Sequence, residues 1–211
     1  LYCAFGILAA LHERGNSGIG QQVETSLTGG LISMLAYLSA EYFATGKIPK
    51  RTGNDHPIVS PYGLFRAKDG MIAVAPSTDV YVERFLAALG LEQLLADPRY
   101  SANAERLLHR TTLSESINNV TCHRSVAHWI TAINDAGCPC GRVMNLAEVF
   151  EDPQVLAQEM VMDVSHPGHG DVRMTGFPVK LSRTPAGIQR PAPDLGADTE
   201  EIIDELDSQS L

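Results

Sequence analysis

A single loop limits what this chain can fold into. It reads RTGNDHPIVSPYGLFRAKDG and occupies residues 51–70. Two prolines, three glycines and an Asn-Asp pair interrupt any long helix or strand there. Loops of this length usually either carry function or are disordered. Because disordered segments lack aromatic and branched side chains, Ile58, Tyr62 and Phe65 favour an ordered loop that continues into a strand at Tyr62.

Composition excludes several classes of partner. The 211 residues include 16 basic and 25 acidic side chains, and the net charge of −9 is opposite to that of a nucleic-acid-binding surface. The longest apolar run, residues 1–11, is too short to span a bilayer, and no charged-then-apolar leader opens the chain. Four cysteines do not form a disulfide framework in a chain of this size. We therefore expect a cytoplasmic protein without a nucleic-acid or membrane partner.

Two helices and a short strand are predicted before the loop. Apolar residues at helical spacing predict a first helix over residues 1–15, with Gly15 as its C-cap. The alternating residues 21–27 predict an edge strand, and residues 28–45 predict a second helix that Gly46 closes. Since these elements cannot bury their apolar faces by themselves, we expect their partners in upstream sequence or in another chain.

The sequence after the loop predicts a hairpin, several amphipathic helices and a return to strands. Asp69-Gly70 is the hairpin turn, between strands at residues 62–66 and 71–75. Asn145 is a predicted helix N-cap, and Pro153 stands at a first helical position, where proline is tolerated. The other predicted elements are helices over residues 78–90, 103–120, 125–136 and 146–150, strands over residues 141–143, 160–165 and 172–181, and an acidic helix at the end.

Six stretches, in order along the chain, together carry a family resemblance. They read GILAALHERGNSGIGQQVETSL, RTGNDHPIVSPYGLFRAKDGMIAVA, DPRY with Asn103 and Arg106, AGCPCGRV, EDPQV and PAPDLGADTEEI. The chain resembles the class III CoA-transferases along essentially its whole length. That family includes carnitine and formyl-CoA transferases and the related 2-methylacyl-CoA racemases.

The resemblance implies an α/β fold and a domain organisation. Family members are interlocked homodimers, in which a large Rossmann-type domain and a smaller α/β domain enclose coenzyme A. By this resemblance, residues 1–46 are the C-terminal part of the large domain, and residues 47–60 are a linker and active-site loop. Residues 61–185 are the small domain, and residues 186–211 return to the large domain.

The resemblance also implies a reaction and the position of its nucleophile. The family moves CoA between an acyl-CoA and a carboxylic acid through one aspartate, with CoA as substrate and no permanently bound cofactor. That aspartate precedes the helix that begins here at Leu1, so no catalytic residue is assigned within the chain. Asp55 and Asp69 are interpreted as turn residues, since Asn-Asp and Asp-Gly pairs satisfy local backbone groups.

The loop supplies the candidate substrate contacts. In the transferases, a glycine-rich loop of the small domain closes over the aspartate, and HPIVSPY replaces it here. Pro57 and Pro61 have no N–H to donate. His56, Ser60 and Tyr62 are therefore the candidate contacts to the acyl acceptor. The alternative is structural: Tyr62 only begins a strand, and His56 is a solvated loop residue.

Other side chains give weaker candidates. Lys47, Lys50 and Arg51 are candidate contacts to the CoA phosphates, because basic groups are the usual phosphate partners, although a solvated linker explains them equally well. No metal site is predicted. Cys138 and Cys140, with Cys122-His123, could be considered for zinc. Structural zinc sites, however, use cysteine pairs separated by two to four residues, and only one proline separates Cys138 from Cys140. His166 and His169 flank a Pro-Gly pair and are interpreted as turn residues.

Two alternatives to CoA transfer stay open. One is a 2-methylacyl-CoA racemase, in which a histidine accompanies the upstream acid, although the Pro61-Tyr62-x-x-Phe65 pattern is more similar to that of the transferases. The other is a non-catalytic dimerisation fragment. The upstream sequence would distinguish the transferase from the racemase, by showing whether a histidine accompanies the aspartate. The mass of the native protein tests the fragment hypothesis.

Overall fold

The chain mixes helices with small sheets, as expected, in a computed structural model that describes residues 1–208. Its Cα packing divides into two units, Leu1–Gly141 and Arg142–Leu211. Within the described residues, none of the helices is both long and apolar enough to cross a bilayer. The domain boundaries after residues 46, 60 and 185 stay predictions.

The first unit holds most of the helices. These are α1 Tyr2–Ser17, α2 Leu27–Ser33, α3 Tyr37–Thr45, α4 Asp79–Ala88, α5 Asn103–Leu108, α6 Arg110–Thr121 and α7 Val126–Asp135. Its sheet has the order β1-β2-β3, with β1 Gly63–Ala67, β2 Gly70–Val74 and β3 Cys140–Arg142, whose last residue belongs to the second unit. The other elements of the second unit are α8 Leu146–Glu151, α9 Pro153–Ala157, β4 Val161–His166, β5 Gly170–Thr175 and α10 Thr199–Ser208.

The β1–β2 hairpin confirms the Asp-Gly prediction. Ala67 pairs with Gly70 across the turn, so Lys68 and Asp69 form a two-residue loop. The Asp69 carboxylate accepts the backbone N–H of Val126 at 2.7 Å, at the start of α7. Asp69 is therefore a structural turn residue, which also joins the hairpin to a helix N-terminus.

The core of the first unit lies between the hairpin and α4, α6 and α7. The rings of Phe65 and Phe85 pack 5.6 Å apart, and the indole N–H of Trp129 donates to Thr121 O at 2.7 Å. Apolar side chains that alternate along the strands and recur at helical spacing supply this core. The buried apolar residues are Phe65, Ile72, Val74, Val82, Phe85, Leu86, Leu89, Tyr100, Leu113, Ile117, Val126, Trp129, Ile133 and Cys138.

The segment before the loop differs from its prediction in three places. Helix α1 continues past Gly15 and ends at Gly18, which has a φ of 75° and donates its N–H to Arg14 O. Residues 21–27 form no strand in the described sheets, because alternation alone supplies no partner edge. The single predicted helix over residues 28–45 is broken near Ala36, whose φ is 44°, although Gly46 ends α3 as predicted.

Other elements after the loop were predicted with mixed success. The predicted helix over residues 103–120 is interrupted at His109, where φ is −108° and ψ is 23°. Strand β5 ends at Thr175 rather than at residue 181. The N-cap at Asn145 is confirmed by its capping box with Glu148, and Pro153 begins α9 as predicted.

Helices α1, α2 and α3 have no buried residue. Among their apolar side chains, Phe5 is 73% exposed, Leu31 is 68% exposed and Phe43 is 81% exposed. Large apolar side chains exposed in such number are typical of protein interfaces. The sequence-based expectation that these faces need a partner is consistent with this exposure.

Candidate functional site

Helices α5 and α6 fasten the loop that precedes β1. We refer to residues 52–62 as the anchored loop. Asn103, the first residue of α5, accepts the Ser60 N–H with its Oδ1 at 3.1 Å and donates from Nδ2 to Ile58 O at 2.9 Å. One amide side chain thus replaces the main-chain partners that a strand would have supplied at both residues.

Arg106 provides the second attachment and is only 2% exposed. Its Nε donates to Ser60 O at 2.6 Å, its Nη1 donates to Tyr100 O at 3.1 Å, and its Nη2 pairs with the Asp79 carboxylate. A guanidinium is suited to this position because its rigid, planar donors reach several acceptors at once. A charge this deeply buried is tolerable only with such partners.

Arg110 provides the third attachment, at the start of α6. Its Nη2 donates to His56 O at 2.7 Å and lies 3.4 Å from Val59 O. Its Nη1 lies 4.0 Å from a carboxylate oxygen of Asp55. The backbone of the anchored loop therefore curves around this guanidinium, with carbonyl oxygens directed towards it.

The end of the anchored loop lies against Asp55 and His56. The His56 N–H donates to Tyr62 O at 2.9 Å. A Cβ at Gly63 would lie 2.3 Å from Asp55 Oδ1 and 3.1 Å from Asp55 Cα. Only glycine therefore allows β1 to begin this close to Asp55.

An aromatic stack contains two of the three predicted substrate contacts. The His56 ring lies between Tyr62, at a centroid distance of 4.9 Å, and Tyr37 of α3, at 5.7 Å. His56 Nδ1 accepts the Ile58 N–H at 3.3 Å, and Nε2 lies 3.5 Å from the Tyr37 hydroxyl. In this arrangement Nδ1 acts as an acceptor, and Nε2 is the ring nitrogen that can donate.

Ser60, the third predicted contact, has a different environment. The residue is 1% exposed, and within residues 1–208 its hydroxyl has no hydrogen-bond partner. Its backbone, by contrast, is bonded on both sides, to Asn103 and to Arg106. In the structure, Ser60 is thus the residue through which Asn103 and Arg106 hold the anchored loop. Its contact with substrate stays a prediction.

A groove of about 400 Å³ adjoins Tyr62. Asn54 and Gly63 line it together with Pro139 and Cys140 of the following sheet edge. Burial raises the pKa of the Cys140 thiol to about 11, and that of Cys138 likewise. Both thiols are therefore protonated at neutral pH, a state that is a weak nucleophile and a weak metal ligand.

The predicted phosphate contacts lie on the surface. Lys47, Lys50 and Arg51 are all exposed and precede the anchored loop directly in sequence. This exposure suits both a phosphate contact and a solvated linker, so the assignment stays a prediction.

Sequence reasoning missed the attachment residues as a group. Asn103 and Arg106 contributed to the family resemblance without an assigned role, and Arg110 was not singled out. The sequence does carry one signal. Asn103, Arg106 and Arg110 are spaced by three and then four positions, a spacing that places residues on one side of a helix. Their connection to a loop more than forty residues earlier leaves no local pattern.

Comparison with known proteins identifies the protein family. The fold matches a crystal structure of a CaiB/BaiF family protein from Brucella suis, with a TM-score of 0.76 and 28% identity over 97% of this chain and 53% of that one. The family model of CoA-transferase family III matches residues 1–199. The chain therefore belongs to CoA-transferase family III.

Similar proteins are about twice as long. The succinyl-CoA–D-citramalate CoA-transferase of Chloroflexus aurantiacus is 31% identical over 206 residues, which is 97% of this chain and 51% of the relative. The human succinyl-CoA:glutarate CoA-transferase is 29% identical over 206 residues, which is 98% of this chain and 47% of the relative. The chain thus spans about half the length of the relatives it matches.

The attachment at Arg106 predicts a large stability effect. Arg106→Leu removes the donors to Ser60 O and Tyr100 O and leaves two carbonyls unpaired, each costing about 1–3 kcal/mol. We expect the free energy of unfolding to fall by about 3 kcal/mol in urea denaturation. Arg99→Leu is the matched control, because Arg99 forms an exposed ion pair with Asp97 and its loss should change little. Similar destabilisation by the two substitutions would contradict this role for Arg106.

Proposed function

We propose that the protein moves coenzyme A between an acyl-CoA thioester and a carboxylic acid, using an aspartate that precedes residue 1 in the longer polypeptide of its relatives. The observation that carries this proposal is the family match over residues 1–199. The relatives reported above are named as CoA-transferases rather than racemases, which favours transfer over epimerisation.

The proposed chemistry divides one exchange into four balanced acyl transfers. The aspartate carboxylate attacks the thioester carbonyl and expels CoA thiolate, giving a mixed anhydride. The thiolate attacks the aspartyl carbonyl, releasing the first acid and leaving an aspartyl thioester. The acceptor carboxylate then attacks that thioester, and the expelled thiolate takes the acceptor acyl group from the second anhydride. The aspartate is regenerated, and covalent catalysis has replaced one difficult step with easier ones.

Side chains of the anchored loop add donors for this chemistry where its main chain offers few. The N–H groups of His56, Ile58 and Ser60 are already bonded within the protein, and Pro57 and Pro61 have none. The donors left for a developing oxyanion or an acceptor carboxylate include the Tyr62 hydroxyl and the His56 Nε2–H. Because the attachments hold this loop in place, such donors need little reorganisation during the reaction.

The proposal also covers the contacts to CoA, the assembly of the protein and its location. Lys47, Lys50 and Arg51 are exposed and are proposed to contact the phosphates of CoA. The exposed faces of α1, α2 and α3 are proposed to pack against the preceding half of the polypeptide in an interlocked homodimer. The described cysteines are all free thiols, which favours a cytoplasmic location.

Trapping the intermediate tests the proposal. We expect residues 1–211 alone to catalyse no CoA transfer and a longer polypeptide with the upstream half to be active. An upstream Asp→Ala substitution, within one or two helical turns of about 3.6 residues before Leu1, should abolish activity. During turnover, hydroxylamine should label that aspartate, because it attacks anhydrides and thioesters but not resting carboxylates. Mass spectrometry locates the adduct, and an adduct on Asp55, Asp69 or Asp79 would refute the placement of the nucleophile.

Tyr62 gives a separate test of the acceptor contact. In the longer polypeptide, Tyr62→Phe removes only the hydroxyl. A hydrogen bond to a charged acceptor is worth about 1.5–3 kcal/mol, so kcat/KM for the acceptor should fall about ten- to hundredfold. The kinetics of the acyl-CoA half-reaction should change little.

The control for Tyr62 is Tyr81→Phe, which removes a hydroxyl from α4. Its kcat/KM for the acceptor should equal that of the unmodified protein. An equal loss for donor and acceptor in Tyr62→Phe, or no loss for either, would leave Tyr62 with only its role at the start of β1.

A further inference from the structure

Two histidines are held close together by the turn between β4 and β5. In the sequence His166-Pro167-Gly168-His169, the His169 N–H donates to His166 O at 3.1 Å. Proline in the second position and Gly168 with a φ of 81° in the third are the features of a type II turn. This rigid turn places the two imidazole rings with their centroids 4.6 Å apart.

A carboxylate from the connector before α10 completes the group. Asp194 Oδ1 lies 3.2 Å from His169 Nε2. The Asp194 backbone is itself fixed by a turn in which its carbonyl accepts the Ala197 N–H at 3.0 Å. One ligand atom from each of His166, His169 and Asp194 lies within 4.8 Å of the other two.

Backbone carbonyls surround the His166 ring. Its Nδ1 lies 2.8 Å from Pro167 O, and its Nε2 lies against Ala192 O. A histidine that binds a metal through one nitrogen usually donates the other N–H to a carbonyl or carboxylate, which fixes the ring and its tautomer. His166 has this second contact already, through Pro167 O. Nε2 is in hydrogen-bond contact with Ala192 O, and this contact would be exchanged for a bond to the metal.

The geometry points to a binding site for a divalent transition metal of the Zn²⁺ class, formed by His166, His169 and Asp194. Two imidazoles and one carboxylate are ligands that Zn²⁺ prefers, whereas Mg²⁺ and Ca²⁺ favour oxygen ligands alone. Tetrahedral zinc with bonds of about 2.0–2.1 Å separates its ligand atoms by about 3.4 Å. Closing the group from its present span of up to 4.8 Å requires rotation of side chains, and those of His169 and Asp194 are exposed. Ala192 O or water completes the coordination.

A bound metal would link the segment before α10, through Asp194, to the turn between β4 and β5. The site lies within the second unit, and the excess of acidic over basic residues in the chain, with a net charge of −9, favours cation binding overall. The sequence predicts both histidines in a turn, as the structure confirms, and it predicts no metal site. Asp194 lies 25 residues beyond His169, so the sequence alone gave no reason to connect it with the turn.

Zinc titration of the metal-free full chain tests the site. Calorimetry should detect one Zn²⁺ per chain, and His169→Gln and Asp194→Asn should each weaken binding at least tenfold. Both residues are exposed, so neither substitution should disturb folding. His123→Gln, next to Cys122, is the matched control and should bind Zn²⁺ like the unmodified chain. Zn²⁺ should raise the Tm of the unmodified chain and the control, but not of the other two variants.

Cobalt identifies the ligand type. Co²⁺ substituted for Zn²⁺ should give visible d–d bands without the near-ultraviolet charge-transfer band of a thiolate ligand. A thiolate band, or equal weakening by His123→Gln and His169→Gln, would place the metal at the cysteines and overturn the proposal. Absence of stoichiometric Zn²⁺ binding would likewise overturn it and leave His169 and Asp194 as an exposed ion pair. Neither result depends on CoA transfer.

Discussion

The buried guanidinium of Arg106 is the interaction on which the arrangement around the anchored loop depends. It joins Ser60 in the loop, Tyr100 before α5 and Asp79 at the start of α4. The cost of removing an arginine from water is large, and it is offset only when the donors find acceptors in good geometry. The three segments therefore need the positions they occupy, because displacement of any one leaves a buried polar group unpaired.

The attachments change the meaning of the loop sequence. HPIVSPY has two prolines, which lack an N–H, and three of its five N–H groups, those of His56, Ile58 and Ser60, are bonded inside the protein. A glycine-rich loop can close on a substrate by changing backbone conformation. The anchored loop instead has three side chains, from Asn103, Arg106 and Arg110, bonded to its backbone. Its contribution to a site is consequently that of a fixed support for the stack of Tyr37, His56 and Tyr62.

Local signals predicted much of the fold, and long-range contacts explain what they missed. The hairpin turn at Asp69-Gly70, the N-cap at Asn145 and the helix start at Pro153 were predicted because the residues involved are neighbours. Gly15 and Gly18 are equally suited to end a helix, so local propensity did not choose between them. At the site, His56 and Tyr62 were identified from the loop itself. Their attachment to Arg110 depends on tertiary structure, as does the burial of Ser60.

Hydrogen exchange of the loop amides tests the central claim, that residues 52–62 are held in place by side chains of α5 and α6. The His56, Ile58 and Ser60 N–H groups are hydrogen-bonded. NMR-detected exchange should therefore show these amides protected to a degree similar to the β1–β2 hairpin. Exchange of these amides as fast as that of the exposed residues 47–51 would show a mobile loop and contradict the account.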